Sequence, residues 1–93
     1  MAQPKHNIKD LEHVCKALAN KRRLTIILYL VKAKRLSVGA IAEMLSISFK
    51  ATSRHMLLLQ RADILDKEQQ GLTMFYFLEK PLHPLVQKVI DLM

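Results

Sequence analysis

The 93-residue chain contains few of the residues that build covalent, metal-centred or phosphate-binding scaffolds. It has one cysteine, two glycines, three prolines and no tryptophan. A single cysteine cannot close a disulfide within the chain or form a four-cysteine zinc site. Two glycines are too few for a glycine-rich phosphate loop, and no Ser/His/Asp or Cys/His set indicates a catalytic cleft. We therefore expect no enzymatic activity and no bound cofactor.

Long apolar runs and an apolar N-terminal leader are absent as well. No stretch approaches the roughly 20 apolar residues that a membrane span requires. The first ten residues are polar and lack the apolar core of a signal peptide. These features predict a cytoplasmic protein with no membrane partner.

Acidic residues are scarce in the middle of the chain. Between His13 and Ala62 there are ten lysines and arginines and one acid, Glu43, and the other seven acids lie towards the two ends. The net charge is +7 and the isoelectric point is near 9.9. A basic middle region is typical of a surface that binds nucleic-acid phosphates, although a basic domain without that role has the same composition.

Hydrophobic residues are abundant, at 51% of the chain. The length suits one domain spanning residues 1–93, of which residues 1–7 are expected to be flexible. A domain of this size has little interior. The surplus of apolar residues therefore favours an oligomer.

Helical periodicity predicts four helices before residue 62. Apolar residues from Ile8 to Leu18 recur at three- and four-residue steps, and Asn20 is placed to cap a second helix over residues 21–32 that is apolar on most sides. Serines then precede two further helices. Ser37 caps a short third helix, and Ser48 caps a fourth helix that runs from about Phe49 to Arg61.

The pattern changes after residue 62. Residues 64–68 and 73–78 are short runs typical of strands, with a hairpin turn at residues 69–71. Pro81 and Pro84 then introduce a last helix. The predicted fold class is mainly α with a small β-hairpin wing (α+β). It is a winged helix-turn-helix with about five helices and a two-stranded wing.

The fourth helix is predicted to have two chemically different sides. At about 100° per residue, one side carries Lys50, Ser53, Arg54, Leu57 and Arg61. The opposite side carries Thr52, His55, Met56 and Leu59. Arginine and serine donors suit the base edges of the DNA major groove, which admits one α-helix. A solvated amphipathic helix has a similar pattern. The short third helix, the turn and the serine caps before it favour a recognition helix.

Four segments resemble the ArsR/SmtB family of bacterial and archaeal repressors. They are Lys16-Ala17-Leu18-Ala19-Asn20 followed by Arg23-Leu24, Leu36-Ser37-Val38-Gly39 with Ile41-Ala42, and Thr52-Ser53-Arg54-His55-Met56-Leu57. The resemblance covers about Leu11 to Leu78. It implies a winged-helix dimer joined by its first and last helices, released from DNA by an inducer. The chain departs from the family at Asp63, where glycine is usual, and in the wing, where Lys67 stands between two acids.

The predicted function is sequence-specific DNA-binding transcriptional regulation, with a homodimer repressing from a pseudo-palindromic operator in double-stranded DNA. The resemblance assigns base or phosphate contacts to Ser48, Lys50, Ser53 and Arg54. The complete predicted DNA-binding set is Ser37, Ser48, Lys50, Ser53, Arg54, Arg61 and Lys67. The predicted dimer interface comprises Ile8, Leu11, Cys15, Leu18, Leu85, Val86, Val89 and Ile90.

Metal ligands are missing at both positions where relatives bind metal. Residues 41–45 contain no cysteine or histidine, and in the last helix His83 has only distant acids. We therefore predict no metal site.

Two further interpretations stay open. Cys15 is interpreted as a small buried hydrophobe, with redox sensing between two copies as the alternative. The exposed Leu57 and the apolar last helix leave a protein-interaction module as an alternative function. A small-molecule or redox inducer is a further possibility.

Overall fold

The computed structural model describes residues 7–93 as five helices and three strands. The predicted flexibility of residues 1–7 lies outside the described residues except at Asn7, whose side chain accepts from the Asp10 amide at 2.7 Å and caps α1. In chain order the elements are α1 (Ile8–Leu18), α2 (Lys21–Ala33), β1 (Arg35–Ser37), α3 (Val38–Leu45), α4 (Phe49–Arg61), β2 (Leu65–Gln70), β3 (Thr73–Leu78) and α5 (Pro84–Leu92). The predicted winged helix-turn-helix class, with five helices and a hairpin wing, is confirmed.

The helices begin where side-chain caps satisfy their first backbone N–H groups. Asn20 Oδ1 accepts from the amides of Arg22 and Arg23 at 2.9 and 3.1 Å. Ser37 Oγ accepts from an amide of α3 at 3.1 Å, and Ser48 Oγ accepts from an amide of α4 at 3.0 Å. Each cap of this kind typically contributes about 1 kcal/mol. All three predicted caps are present.

The sheet differs from the predicted two-stranded wing. Three antiparallel strands are ordered β1-β3-β2, and β1 pairs Arg35 with Phe77 and Ser37 with Phe75. A three-residue strand is too short to show an alternating pattern, so the sequence did not reveal it. Its partner strand decides its conformation.

The hairpin turn also lies later in the chain than predicted. Gln69 and Gln70 belong to β2, where they pair with Met74 and Thr73. The turn consists of Gly71 and Leu72, and Gly71 has a φ of 61°. A two-residue hairpin turn needs a positive φ, which glycine adopts at little cost. The wing is therefore longer than the sequence indicated.

The core is centred on α2, as predicted. Ile26, Ile27 and Leu30 of this helix are at most 1% exposed, and Met56 and Leu59 of α4 are fully buried against them. Full burial of one such side chain contributes about 1.5–3 kcal/mol. The orientation of α4 therefore follows from its packing on α2.

The terminal helices pack more deeply on the single chain than predicted. Leu18 of α1 is 7% exposed and Val86 of α5 is fully buried. These two residues belong to the core and offer no surface to a partner, so their assignment to a dimer interface is wrong. In both helices one row of apolar side chains packs on the core, and only the apolar side chains at the margin of that row are exposed.

The burial predicted for Cys15 is wrong, because the thiol is exposed. One residue earlier, Val14 is 1% exposed and faces the core. Successive helical residues are rotated by about 100°. Cys15 therefore lies at the outer edge of the α1 stripe, on the same side as the exposed Ile8 and Leu11.

Candidate nucleic-acid interface

The unit formed by α3, a tight turn and α4 orients the predicted recognition helix. α3 ends at Ser46, whose φ of 57° reverses the chain direction before Ser48 starts α4. The buried Thr52 hydroxyl donates to the Ser48 carbonyl at 2.9 Å, so this polar group is satisfied inside the core. The buried inner face of α4 packs on the core, and the opposite face of the helix is exposed to solvent.

That outward face of α4 carries positive charge. Lys50, Arg54 and Arg61 are exposed and Ser53 is half-buried. Between residues 7 and 93 Lys16 forms an ion pair with Glu12 and His83 contacts Asp10, and neither contact involves α4. No acid occurs from residue 44 to residue 62. The face therefore presents cations and a hydroxyl to an anionic partner, as predicted from the helical spacing.

Phe49 is a candidate contact that the sequence reasoning missed. It is the first residue of α4 and its side chain is 62% exposed. In helix-turn-helix complexes the N-terminal residues of this helix reach the base edges. The helical spacing did not assign Phe49 to either side of α4. Its position directly after the Ser48 cap was the signal that could have identified it.

Arg23 joins α4 to the first two helices. Its guanidinium donates to the carbonyls of Ala17 at 2.6 Å and Lys16 at 3.1 Å, which end α1. A third nitrogen, Nη1, lies 3.3 Å from Nδ1 of His55 on α4. Arginine can only donate, so His55 accepts through a neutral Nδ1.

His55 is held in this neutral form by its surroundings. Burial lowers the pKa of His55 below its ordinary value of 6.5, and the charges of Arg23 and Arg22 lower it further. The contact between Arg23 and His55 depends on the charge of His55, and it lies on the inner side of α4, the predicted recognition helix. The sequence reasoning had only predicted that His55 faces inward and is packed or hydrogen-bonded.

The wing carries little positive charge. Lys67 is exposed on β2 between Asp66 and Glu68, and an Asp66 carboxylate oxygen accepts from the Lys67 amide at 2.8 Å. Because strand residues alternate in direction, both acids project from the opposite face of the strand. The acids therefore surround Lys67 less closely than the linear sequence indicated. The tip residue Leu72 is fully exposed.

The predicted DNA-binding residues lie on three separate elements. Ser48, Lys50, Ser53, Arg54 and Arg61 cap or belong to α4, and the structure brings them together. Ser37 ends β1 and caps α3, where its half-buried oxygen already accepts a hydrogen bond. Lys67 lies in the wing.

The polar groups near α5 are engaged within the fold. His83 Nδ1 accepts from the Leu85 amide at 3.0 Å and caps α5, and its Nε2 lies 3.4 Å from an Asp10 carboxylate oxygen on α1. This contact links the two terminal helices. Across residues 7–93, no group of three or more His, Cys, Asp or Glu side chains is placed to hold a metal ion. Within that same range, no helix is both long enough and apolar enough to span a membrane.

Comparison with known proteins places this arrangement among winged-helix transcriptional regulators. The chain is 38% identical over 63 residues to the transcriptional activator HlyU of Vibrio cholerae serotype O1, a match covering 68% of this chain and 57% of that protein. It thus aligns with somewhat over half the length of this curated relative. No protein-family profile matches the chain.

Solved structures support the same class over more of the chain. HlyU from Vibrio cholerae superposes with a TM-score of 0.79 at 31% identity, covering 96% of this chain and 92% of that one. The transcriptional repressor PagR of Bacillus anthracis superposes with a TM-score of 0.76 at 29% identity, covering 91% and 93%. A homodimeric winged helix-turn-helix domain from Mycobacterium bovis, described as a possible ArsR-family regulator, has a TM-score of 0.78. Its identity is 24%, with coverage of 99% and 85%, and its likeness concerns the fold alone.

The fold and the basic helix together define a winged helix-turn-helix transcriptional regulator. The chain belongs to the ArsR/SmtB family, as the sequence motifs indicated. This family is not enzymatic, in agreement with the prediction that the chain has no enzymatic activity.

Proposed function

We propose that this protein represses transcription by binding a pseudo-palindromic operator in double-stranded DNA as a homodimer. The observation that carries the proposal is the outward face of α4, where Lys50, Arg54 and Arg61 are exposed on a helix that contains no acid. One related protein is named an activator and another a repressor. We favour repression because it needs only occupancy of the operator, which the basic helix can provide.

The dimer proposal rests on apolar side chains at the outer edges of the terminal helices. Ile8 is 86% exposed and Leu11 37% exposed on α1, next to the exposed Cys15. At the end of α5, Leu92 is 86% exposed and Met93 is 49% exposed. The half-buried residues Leu85 and Val89 extend this surface, whereas Ile90, also predicted there, lines a cleft shared with α2 and the sheet. A closed two-fold interface would cover these side chains and space two α4 helices about 34 Å apart, one turn of DNA.

Sedimentation tests the dimer directly. We expect a dimer at tens of micromolar, the range in which a stable interface of ordinary size is saturated, and Leu11→Glu should shift it to monomer. Leu72→Glu adds the same charge at the exposed wing tip and serves as the matched control. A wild-type monomer at this concentration, or equal dissociation by both variants, contradicts the proposed interface.

A comparison of two arginines on the same face of α4 distinguishes sequence-specific recognition of bases from non-specific electrostatic binding of DNA. An operator is first selected from random DNA, and affinities are then measured for the operator and for unrelated DNA over a range of salt. Arg54→Ala should cost about 1–3 kcal/mol on the operator and relax its sequence preference, because Arg54 lies nearer the helix N-terminus. Arg61→Ala should weaken all DNA equally and lower the salt slope by about one. Lys67→Ala should have the smallest effect.

The same measurements decide between DNA binding and the alternative functions. If Arg54→Ala and Arg61→Ala weaken operator and random DNA alike, the helix responds to charge and not to sequence. Absence of salt-dependent DNA binding would instead favour a protein-interaction module that uses the exposed Leu57. DNA affinity that changes with a chelator or an oxidant would favour a metal- or redox-responsive regulator. A cytoplasmic location and a small-molecule or redox inducer stay predictions.

A further inference from the structure

A cleft of about 470 Å³ lies between the C-terminal end of α2, the sheet and α5. Its volume falls in the range of roughly 300–1,000 Å³ that small-molecule sites occupy. Apolar side chains from all three regions line it, namely Leu30, Val31, Phe77, Leu82 and Ile90. Such walls suit the hydrophobic body of a ligand.

The charged residues of this cleft are mostly cations. Lys34, Arg35 and Lys80 line it, against a single acid, Glu68. Arg35 is held in place, since its Nη2 donates to Gln70 Oε1 at 2.6 Å. Neither lysine takes part in the ion pairs found among residues 7–93. The surplus of positive charge favours an anionic group on the ligand.

Lys34 occupies a backbone position at which lysine is costly. It caps the C-terminal end of α2 with a φ of 73° and a ψ of −49°, and its amide donates to the Leu30 carbonyl at 3.1 Å. Glycine is the residue that adopts a positive φ after a helix without strain. Lys34→Gly therefore removes the charge and relieves the strain together, and the two effects appear in different measurements, ligand binding and stability.

A second cleft shows that charge is segregated on this side of the molecule. It measures about 410 Å³ and shares Leu82 with the first cleft. Its ionisable lining residues are three acids and a histidine: Asp10, Asp63, Glu79 and His83. An anionic ligand is therefore favoured in the first cleft and disfavoured in the second.

We propose that the cleft between α2, the sheet and α5 binds an anionic amphipathic small molecule, an apolar body carrying a carboxylate. The apolar walls cover the body, and Lys34 and Lys80 pair with the carboxylate. This binding site does not depend on the proposed DNA-binding function, and it is tested without DNA.

The first test compares three probes of eight carbon atoms each. Octanoate, 1-octanol and octylamine are titrated separately into the full chain, and binding is followed by amide chemical shifts. Octanoate should bind about ninefold more tightly than 1-octanol, since two screened ammonium–carboxylate pairs contribute a factor of about three each. Octylamine should bind most weakly. The shifts should centre on lining residues such as Val31, Phe77 and Ile90.

The second test uses variants of the two lysines. Lys34→Gly should weaken octanoate about threefold, the loss of one screened pair, leave 1-octanol unchanged and raise the urea midpoint by relieving the strained backbone. Lys80→Gln should weaken octanoate similarly without a change of backbone preference. Lys32→Gln removes a lysine of α2 that does not line the cleft, and should leave octanoate binding unchanged.

Three outcomes would overturn the proposal. The first is octanoate binding no more tightly than 1-octanol, which would mean that the cations do not act on the ligand. The second is a set of shifts centred outside the cleft. The third is unchanged octanoate affinity in both Lys34→Gly and Lys80→Gln.

Discussion

The recognition helix α4 and the β2–β3 wing are the two parts that winged-helix proteins commonly bring to DNA, and here they differ sharply. α4 carries Lys50, Arg54 and Arg61 without an acid, whereas β2 carries Lys67 together with Asp66 and Glu68. A helix with an acid-free basic face can neutralise several phosphates. The wing as a whole has no surplus of positive charge with which to do the same.

The two parts also differ in how firmly the core holds them. Thr52, Met56 and Leu59 of α4 are fully buried, while β2 has only Leu65 buried and its next five residues exposed. Preorganised side chains on a packed helix lose less entropy on binding than side chains of an exposed hairpin. Under the proposed function, we therefore expect α4 to supply both the anchoring and the reading of DNA. We expect the wing to contribute little to either.

The largest expected difference between these regions concerns stability. Met56→Ala should lower the free energy of unfolding by about 2–5 kcal/mol, because it leaves a cavity beneath α4. Leu72→Ala removes a similar apolar side chain from the fully exposed wing tip and should change stability by less than about 0.5 kcal/mol. Urea unfolding monitored by circular dichroism measures both. Equal losses would mean that the wing is packed as firmly as α4.

A smaller effect is expected where α4 meets the bases. If Phe49 contacts a thymine methyl, replacing that thymine by deoxyuridine should cost wild-type protein about 0.8 kcal/mol, the value of one buried methyl group. Phe49→Ala should bind more weakly and lose this discrimination. Leu72→Ala in the wing is the control and should keep it. If Phe49→Ala loses as much affinity as wild type when each thymine of the operator is replaced by deoxyuridine, Phe49 does not contact a thymine methyl.

The subtlest effect concerns pH and the support of α4. Burial, with the charges of Arg23 and Arg22, lowers the pKa of His55 below 6.5 in the folded chain. The unfolded chain therefore binds the proton more readily, so this contribution to stability is fully present above about pH 6.5. It is lost as the pH falls from there through the folded-state pKa. Urea midpoints measured across this range should fall on acidification.

Two glutamine variants give the control for this pH effect. His55→Gln can still accept from Arg23 through its amide oxygen but cannot titrate, so it should remove this part of the pH dependence. His13→Gln alters an exposed histidine and should leave the dependence intact. A pH profile that is identical in His55→Gln and wild type would show that the Arg23–His55 contact does not govern it.

Local chemistry made much of the fold and of the recognition helix predictable. The caps at Asn20, Ser37 and Ser48 are local devices, since each side chain bonds an amide two or three residues away. The buried face of α4 follows from helical spacing alone, and Met56 and Leu59 are where that spacing put them. The family motifs could also be recognised from the sequence, because each is a short run of neighbouring residues.

Features that depend on distant contacts were missed or misplaced. β1 exists only because residues 35–37 pair with β3, some forty residues later in the chain. Leu18 and Val86 were assigned to a dimer interface because periodicity shows that a residue is apolar and not which neighbour covers it. Helical spacing likewise did not show that Phe49 is exposed.

The sequence by itself determined the helix boundaries and the basic face of α4, because spacing and capping act within a few residues. Tertiary structure alone decided which apolar stripes become core, how His55 meets Arg23, and that Lys34 and Lys80 line one cleft. Those features join residues that are far apart in the chain. Only the packing of complete helices and strands against one another brings such residues together.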